Sequence, residues 1–253
     1  MANTEREQKI LEVLKEKSQI SVSALTDLLY ASEATIRRDL KKLEERGLII
    51  RSHGKALDAK TYADKNVGFA VRENSLSPVK NKLSEAAVRT CVKNGDVVML
   101  DASTTAMHCV KFLSDFDDLI VITSGLKSLL LLAETTLKFY STGGRAINGS
   151  SSFVGQTAIN AVSTFNADVC LISCHGVAEN GFLTDTSESE NDLRRAMLKQ
   201  SKRKVLLIDS TKINKSFWHN LCNISEFDDV FCDAPLPENL ARQVKNFHLV
   251  KGV

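Results

Sequence analysis

From Val79 onward the sequence alternates between helical stretches and short apolar runs, and this alternation restricts the fold more than any other feature. Lys80–Val92 places Leu83, Ala86, Ala87 and Cys91 on one helical face, and Val97-Val98-Met99-Leu100 follows as a run that ends at Asp101. The same order predicts helices over Thr104–Leu113, Leu126–Ala133, Thr157–Phe165 and Ser187–Lys202. Strands are predicted over Leu119–Thr123, Leu137–Ser141, Val169–Ser173 and Val205–Ile208, with further strands at Val230–Cys232 and His248–Val250. Uniformly apolar runs suit strands buried on both faces. Strands alternating with helices require a mostly parallel sheet covered by those helices, so the larger part of the chain is α/β.

The first sixty residues obey a different pattern. Thr4–Glu16 reads as a helix with Ile10, Leu11 and Leu14 inward, and Ala24–Leu29 as a second. Ser32–Arg46, SEATIRRDLKKLEER, is a third, with Ile36, Leu40 and Leu43 on one line and Arg37, Arg38, Lys41, Lys42 and Arg46 off it. Ser32 suits an N-cap and Gly47 a C-terminal stop. Two helices joined by a short turn, the second basic, make a helix-turn-helix. Leu48-Ile49-Ile50, the basic turn Arg51–Lys55 and Ala56-Leu57 add a hairpin, which makes the domain a winged helix-turn-helix over residues 1–57. Residues 58–78 read as a linker with a short element near Val67–Val71, and 79–253 as the α/β domain.

Charge is distributed to match. The 253-residue chain carries a formal +2. Residues 1–60 hold 12 Lys and Arg against 10 Asp and Glu, and the remainder holds 21 of each, so the surplus is confined to the N-terminus. Within residues 37–55 seven basic residues face three acidic ones. A basic module of this architecture points to double-stranded DNA as partner. Bases are read near the start of a recognition helix. The candidate DNA-binding residues are therefore Ser32, Glu33, Ala34, Thr35, Arg37, Arg38 and Lys41, with Arg51, His53 and Lys55 on the wing meeting backbone or minor groove. A solvated helix whose bases are neutralised by Asp39, Glu44 and Glu45 would show similar composition. It would not show the turn lengths, the element order and the basic hairpin together.

No run of about 18 apolar residues predicts a membrane span, and the polar start MANTEREQKI lacks a signal-peptide core, so a cytoplasmic location is expected. The six cysteines, at 91, 109, 170, 174, 222 and 232, are read as reduced core thiols. Cys170, Cys174 and His175 match no usual zinc spacing, and neither a metal nor a cofactor is expected.

Ligands of parallel sheets gather at the carboxyl ends of strands. Here those ends read Asp101-Ala102-Ser103-Thr104-Thr105, Thr123-Ser124-Gly125, Gly143-Gly144-Arg145, Cys174-His175-Gly176 and Asp209-Ser210-Thr211-Lys212. Hydroxyls and backbone N–H groups at a helix start, with a lysine on a nearby strand end, suit a phosphate on a small polar molecule. Each loop alone reads equally as a plain cap or turn; their convergence on one edge carries the expectation.

The stretch Ser21–Ala56 resembles the N-terminal domain of the DeoR family of bacterial transcriptional regulators. The family's Ser-x-x-Thr-[Ile/Val]-Arg-Arg-Asp-Leu helix stands here as Ser32–Leu40, and its Arg-x-His-Gly-Gly-Ala ending as Arg51, His53, Gly54 and Ala56, with Lys55 replacing the second glycine. LDASTTA, Gly143-Gly144, Ala167-Asp168, Gly176 to Asp185, Glu190 with Arg194–Met197, and LLIDSTK are similar to the family's effector-sensing domain. The resemblance covers roughly residues 4 to 235. It implies a sensor domain similar in fold to ribose-5-phosphate isomerase, glucosamine-6-phosphate deaminase and CoA transferases. It also implies a repressor of a carbohydrate catabolic operon, released by a phosphorylated sugar or related metabolite. A homo-oligomer, dimer or tetramer, follows from the small footprint of one winged helix. The residues expected to bind the effector are Asp101, Ser103, Thr104, Thr105, Ser124, Gly143, Gly144, His175, Glu190, Asp209 and Lys212. Two positions of the sensor domain depart from the family pattern. Ser103 replaces a glycine, crowding a loop that approaches phosphate, and Ser124 replaces a longer asparagine. The alternative is a sugar-phosphate isomerase or deaminase joined to a DNA module, with Asp101, His175, Glu190 and Asp209 as acid–base groups.

Overall fold

The structure is a computed structural model that describes residues 3–17, 19–45, 48–52, 54–58, 69–147, 149 and 151–251. Arg46, Gly47 and His53 lie outside the described residues, as does much of the expected linker. The chain divides into two compact units, Met1–Pro78 and Val79–Val253.

In the first unit, helices α1 (Asn3–Lys17), α2 (Val22–Leu29) and α3 (Glu33–Glu45) pack with strands β1 (Gln19–Ser21), β2 (Ile49–Ser52) and β3 (Lys55–Asp58). Ile10, Leu14, Leu25, Ile36, Leu40 and Leu43 are fully buried. The apolar line of α3 thus faces the core, each such leucine contributing about 1.5–3 kcal/mol. The sheet order β1-β3-β2 is antiparallel, with Ile20 opposite Ala56 and Arg51 also opposite Ala56. β1 is absent from the sequence-based expectation because three residues are too few to show a period. Its Ser21 caps α2 through Ala24 N–H at 3.1 Å. Helix α4 (Phe69–Asn74) occupies part of the stretch expected as linker.

The second unit opens with α5 (Ser77–Cys91) and is built on β4 (Val97–Leu100), β5 (Ile120–Thr123), β6 (Lys138–Ser141), β9 (Ala167–Ile172), β12 (Ser201–Ile208), β14 (Asp229–Cys232) and β15 (Asn246–Leu249). These seven pair in parallel in the order β15-β14-β12-β9-β4-β5-β6. The chain runs from β4 outward through β5 and β6, then returns to β9 on the other side of β4. The direction of winding therefore reverses between β4 and β9, the place where open parallel sheets form a crevice. Helices α6 (Thr104–Leu113), α7 (Leu126–Leu132), α8 (Gln156–Ser163) and α9 (Glu188–Lys199) connect these strands. Met99, Ile122, Cys170, Ile172, Leu206 and Ile208 of the sheet form one core with Ala158 and Val162 of α8 and Leu193 and Met197 of α9.

Two small antiparallel sheets stand outside the expectation: the hairpin β7 (Arg145–Ile147) with β8 (Ser152–Val154), and β10 (Gly176–Val177) with β11 (Phe182–Asp185) and β13 (His219–Asn223). A short helix, α10 (Glu238–Ala241), also went unexpected. The helix expected over Ser187–Lys202 ends at Lys199, and β12 starts at Ser201. The charged residues Lys202, Arg203 and Lys204 hid the strand's first half, because a partly exposed strand end need not be apolar.

Candidate functional site

The start of α3 is built from Ser32. Its Oγ accepts from Thr35 N–H at 3.3 Å and lies 2.8 Å from Thr35 Oγ1, while its carbonyl accepts from Ile36 N–H. Glu33, Ala34, Arg37, Arg38 and Lys41 are exposed, and Thr35 is half-buried. Three acids of the helix are engaged. Glu33 pairs with Arg37 at 2.5 Å, the buried Asp39 with Arg6 of α1, and Glu44 accepts from the Arg51 backbone at 3.1 Å and its guanidinium at 2.7 Å. Arg51 therefore links the wing to α3 while its side chain stays partly exposed. Arg38 has no hydrogen-bond or ion-pair partner among the described residues. At the wing tip the positive φ belongs to Gly54, at 75°, and Lys55 sits in ordinary strand backbone, exposed and opposite Ser52. The second glycine of the family pattern is thus not needed for this turn.

In the second unit, the carboxyl ends of β4, β5, β6, β9 and β12 bring Asp101, Ser124, Gly143, His175 and Asp209 to one edge of the sheet. Asp101 is buried and fully occupied. Its Oδ1 accepts from the Ser103 amide at 3.1 Å and hydroxyl at 2.6 Å, and its Oδ2 from Arg194 Nε at 2.8 Å. Ser103 caps α6 through Ala106 N–H at 3.1 Å with φ −69°, so the residue that replaces glycine is unstrained. With Ala106 capped and Met107 bonded to the Ser103 carbonyl, Thr104 and Thr105 supply the open amides of this helix end. The Thr105 hydroxyl is buried without a partner. Gly144, at φ 105°, lies under β8, and a Cβ there would stand 2.6 Å from the Val154 carbonyl. Lys212 Nζ donates to Ser173 at 2.7 Å and stands 3.6 Å from Asp209. Burial alone would raise the Asp209 carboxyl; Lys212 and Thr211 outweigh it and hold it low.

Arg194 joins the two sides of the crevice and was missed as a site residue. Its Nη1 donates to Asp185 at 2.7 Å, and His175 Nδ1 donates to the same carboxylate oxygen at 2.8 Å. Burial works against the Asp185 charge, but Arg194 and His175 prevail and hold this carboxyl well below the usual carboxylate range. His175 Nε2 is buried without a partner. A charged side chain in a helix reads as solvent-facing, and only the tertiary fold buries this one, at 4% exposure.

A small cleft of about 10 Å³, room for one water-sized group, opens beside this network, lined by Asp101, Ala102, Ser124, Ser152, Glu190, Leu193, Arg194 and Met197. Asp101, Ser124 and Glu190 are expected effector residues; Ser152 and Arg194 are additions. Ser103, Thr104, Thr105, Gly143, Gly144, His175, Asp209 and Lys212 do not line this cleft but stand on neighbouring strand ends. The hairpin brings Ser152 in: Phe153 N–H donates to the Ser124 carbonyl, and Leu126 N–H to that of Ser151, both at 2.8 Å. Cys170 and Cys174 are buried in the core, burial pushing the Cys174 thiol up to about 12. Among the described residues no group of three or more His, Cys, Asp or Glu side chains is placed to hold a metal ion.

The two units match two family descriptions. The DeoR-like helix-turn-helix domain matches residues 6–61, and the DeoR C terminal sensor domain matches residues 77–234. The chain belongs to the DeoR family of transcriptional regulators. It is 31% identical to the HTH-type transcriptional repressor GlcR of Bacillus subtilis, over 92% of this chain and 89% of that one. It is 25% identical to the glycerol-3-phosphate regulon repressor of Escherichia coli, over 98% of both. Among solved structures it is similar to ribose 5-phosphate isomerase A of Methanocaldococcus jannaschii, at 16% identity and a TM-score of 0.42 over 55% of each chain. No helix among the described residues is long and apolar enough to cross a membrane.

Proposed function

We propose that this regulator represses a carbohydrate operon from the cytoplasm, as a dimer or tetramer, and leaves its operator when a phosphorylated sugar or related small anion binds the sheet edge. The observation that carries this reading is the occurrence, in one chain, of a capped basic reading helix and an α/β unit whose strand ends converge on a polar cleft. Arg38, Ala34 and the Thr35 methyl are the base-reading groups; Arg37, Lys41 and Lys55 contact phosphates, with His53 as a further wing contact. In the sensor, the Thr104 and Thr105 amides and Lys212 hold the phosphate, and Gly143-Gly144 form the adjacent turn. We read this edge as a sensor, not a site of turnover. Asp101, which lines the cleft, and the buried Asp185 are both committed to Arg194. The relative named for glycerol-3-phosphate supports a phosphorylated effector.

A ligand shifts operator binding only through different affinity for the two domain arrangements. The test is electrophoretic mobility shift on a DNA fragment selected by the protein from random sequence, with a panel of sugar phosphates. One member releases the DNA from the wild type. Lys212→Ala keeps operator affinity and loses the release. If no member changes operator affinity, the sensor reading fails, and ribose 5-phosphate isomerisation above background would replace it with an enzyme.

A further inference from the structure

The cleft beside Arg194 is anionic. Asp101, Asp185 and Glu190 surround one guanidinium, a formal balance of −2 before His175 is counted. Two of these carboxylates are used by Arg194, and Asp101 also by Ser103. Glu190 differs. It is 8% exposed, lines the cleft, and its carboxylate has no hydrogen-bond or ion-pair partner among the described residues. Across the cleft the Ser152 hydroxyl, 2% exposed, is likewise without a partner. A buried hydroxyl left open, as at Ser152, is costly unless a ligand fills it, and the neighbouring Glu190 carboxylate can only accept. A phosphate would meet like charge here.

Resting on the sensor reading above, we propose that this cleft binds the end of the effector opposite its phosphate. In it Glu190 accepts a hydrogen bond from a single hydroxyl or ammonium group, and Ser152 completes the contact. The phosphate stays outside, on the Thr104–Thr105 helix end and Lys212. The cleft thereby sets which sugar phosphate the regulator answers to, while the phosphate end sets only that it is phosphorylated.

Isothermal titration of the full-length protein with glucose 6-phosphate, glucosamine 6-phosphate, glycerol 3-phosphate and inorganic phosphate tests this. At least one organic phosphate binds more tightly than inorganic phosphate. Glu190→Gln weakens it by about tenfold or more and changes inorganic phosphate binding by less than about twofold. A greater loss for glucosamine 6-phosphate than for glucose 6-phosphate identifies an ammonium as the donor, and an equal loss identifies a hydroxyl. Organic phosphates that bind unchanged to Glu190→Gln, or that weaken no more than inorganic phosphate does, overturn the proposal and leave the sensor reading standing. Absence of binding by every organic phosphate to the wild type overturns both. If Glu190→Gln does not fold, Ser152→Ala decides: a loss of about threefold to tenfold for the organic phosphate alone supports the assignment, and no loss overturns it.

Discussion

The reading head and the sensor place their charge in opposite ways. On α3 three acids are tied to bases by structure: Glu33 to Arg37, Asp39 to Arg6 and Glu44 to Arg51. Asp39 and Glu44 are turned onto the fold, and the outward face keeps Arg38 and Lys41 exposed, which suits an array of phosphates. In the sensor a single buried Arg194 serves both Asp101 and Asp185, and Glu190 remains over. Excess base on a surface favours a polyanion; excess acid in a cleft favours hydrogen-bond donors. One chain thus keeps its two ligand chemistries apart by where it places surplus charge.

The largest effect that can break this contrast comes from Arg194. Arg194→Met removes the only guanidinium shared by two carboxylates that are 1% and 0% exposed. Leaving such charges unpaired costs about 3–5 kcal/mol. Urea denaturation followed in the sensor domain reads the loss, and the reading head's own unfolding stays unchanged. The pH dependence follows from Asp185, whose folded-state pKa is depressed by Arg194 and His175 against the effect of burial. Its contribution to stability is complete above its unfolded value, about pH 4, and is lost progressively as pH falls below that. Arg194→Met flattens this acid limb. A variant as stable as the wild type would mean that the network orders the site without holding the fold.

A smaller effect separates two neighbouring arginines. Arg38 has no partner among the described residues, while Arg37 lies against Glu33 one turn earlier. Arg38→Ala costs about 1–3 kcal/mol of specific DNA affinity and relaxes preference at one base pair. Arg37→Ala weakens all sequences alike, because a residue held in an exposed helical pair acts as a phosphate contact. Fluorescence anisotropy on operators with single base changes distinguishes them. Relaxed preference in Arg37→Ala instead would assign base reading to that residue and make the Glu33 pair a resting state.

What the sequence disclosed follows from period and capping. Val97–Leu100 and Thr104–Leu113 emerge with the expected ends, because a continuous apolar run stops at Asp101 and Ser103 caps the helix that follows. The inward line Ile36, Leu40, Leu43 was visible for the same reason. The missing parts are those made by distant pairing. β1, β7, β8, β10, β11 and β13 are two to five residues long and take their register from partners elsewhere, so no local pattern announces them. Ser152 and Arg194 reach the cleft only because the β7–β8 hairpin and α9 fold over the sheet edge. In the sequence they are an ordinary serine and one of several arginines. The pairing of Arg51 with Glu44 was hidden for a similar reason: the two are seven residues apart in sequence but adjacent once the wing folds.

Lys55 offers the smallest effect and the finest test of the surplus-base argument. It stands at the wing tip in strand conformation, next to the one residue there that needs a positive φ. Lys55→Gly restores the family's glycine pair and removes one exposed charge. The backbone cost is about 0.5–1 kcal/mol, since glycine in a strand loses more freedom on folding. If Lys55 neutralises one DNA phosphate, the slope of log affinity against log salt falls by about 0.9, equally for specific and nonspecific DNA. Specificity ratios then stay constant, which separates the wing from α3. An unchanged salt slope would place Lys55 in solvent, and the local excess of base would rest on α3 alone.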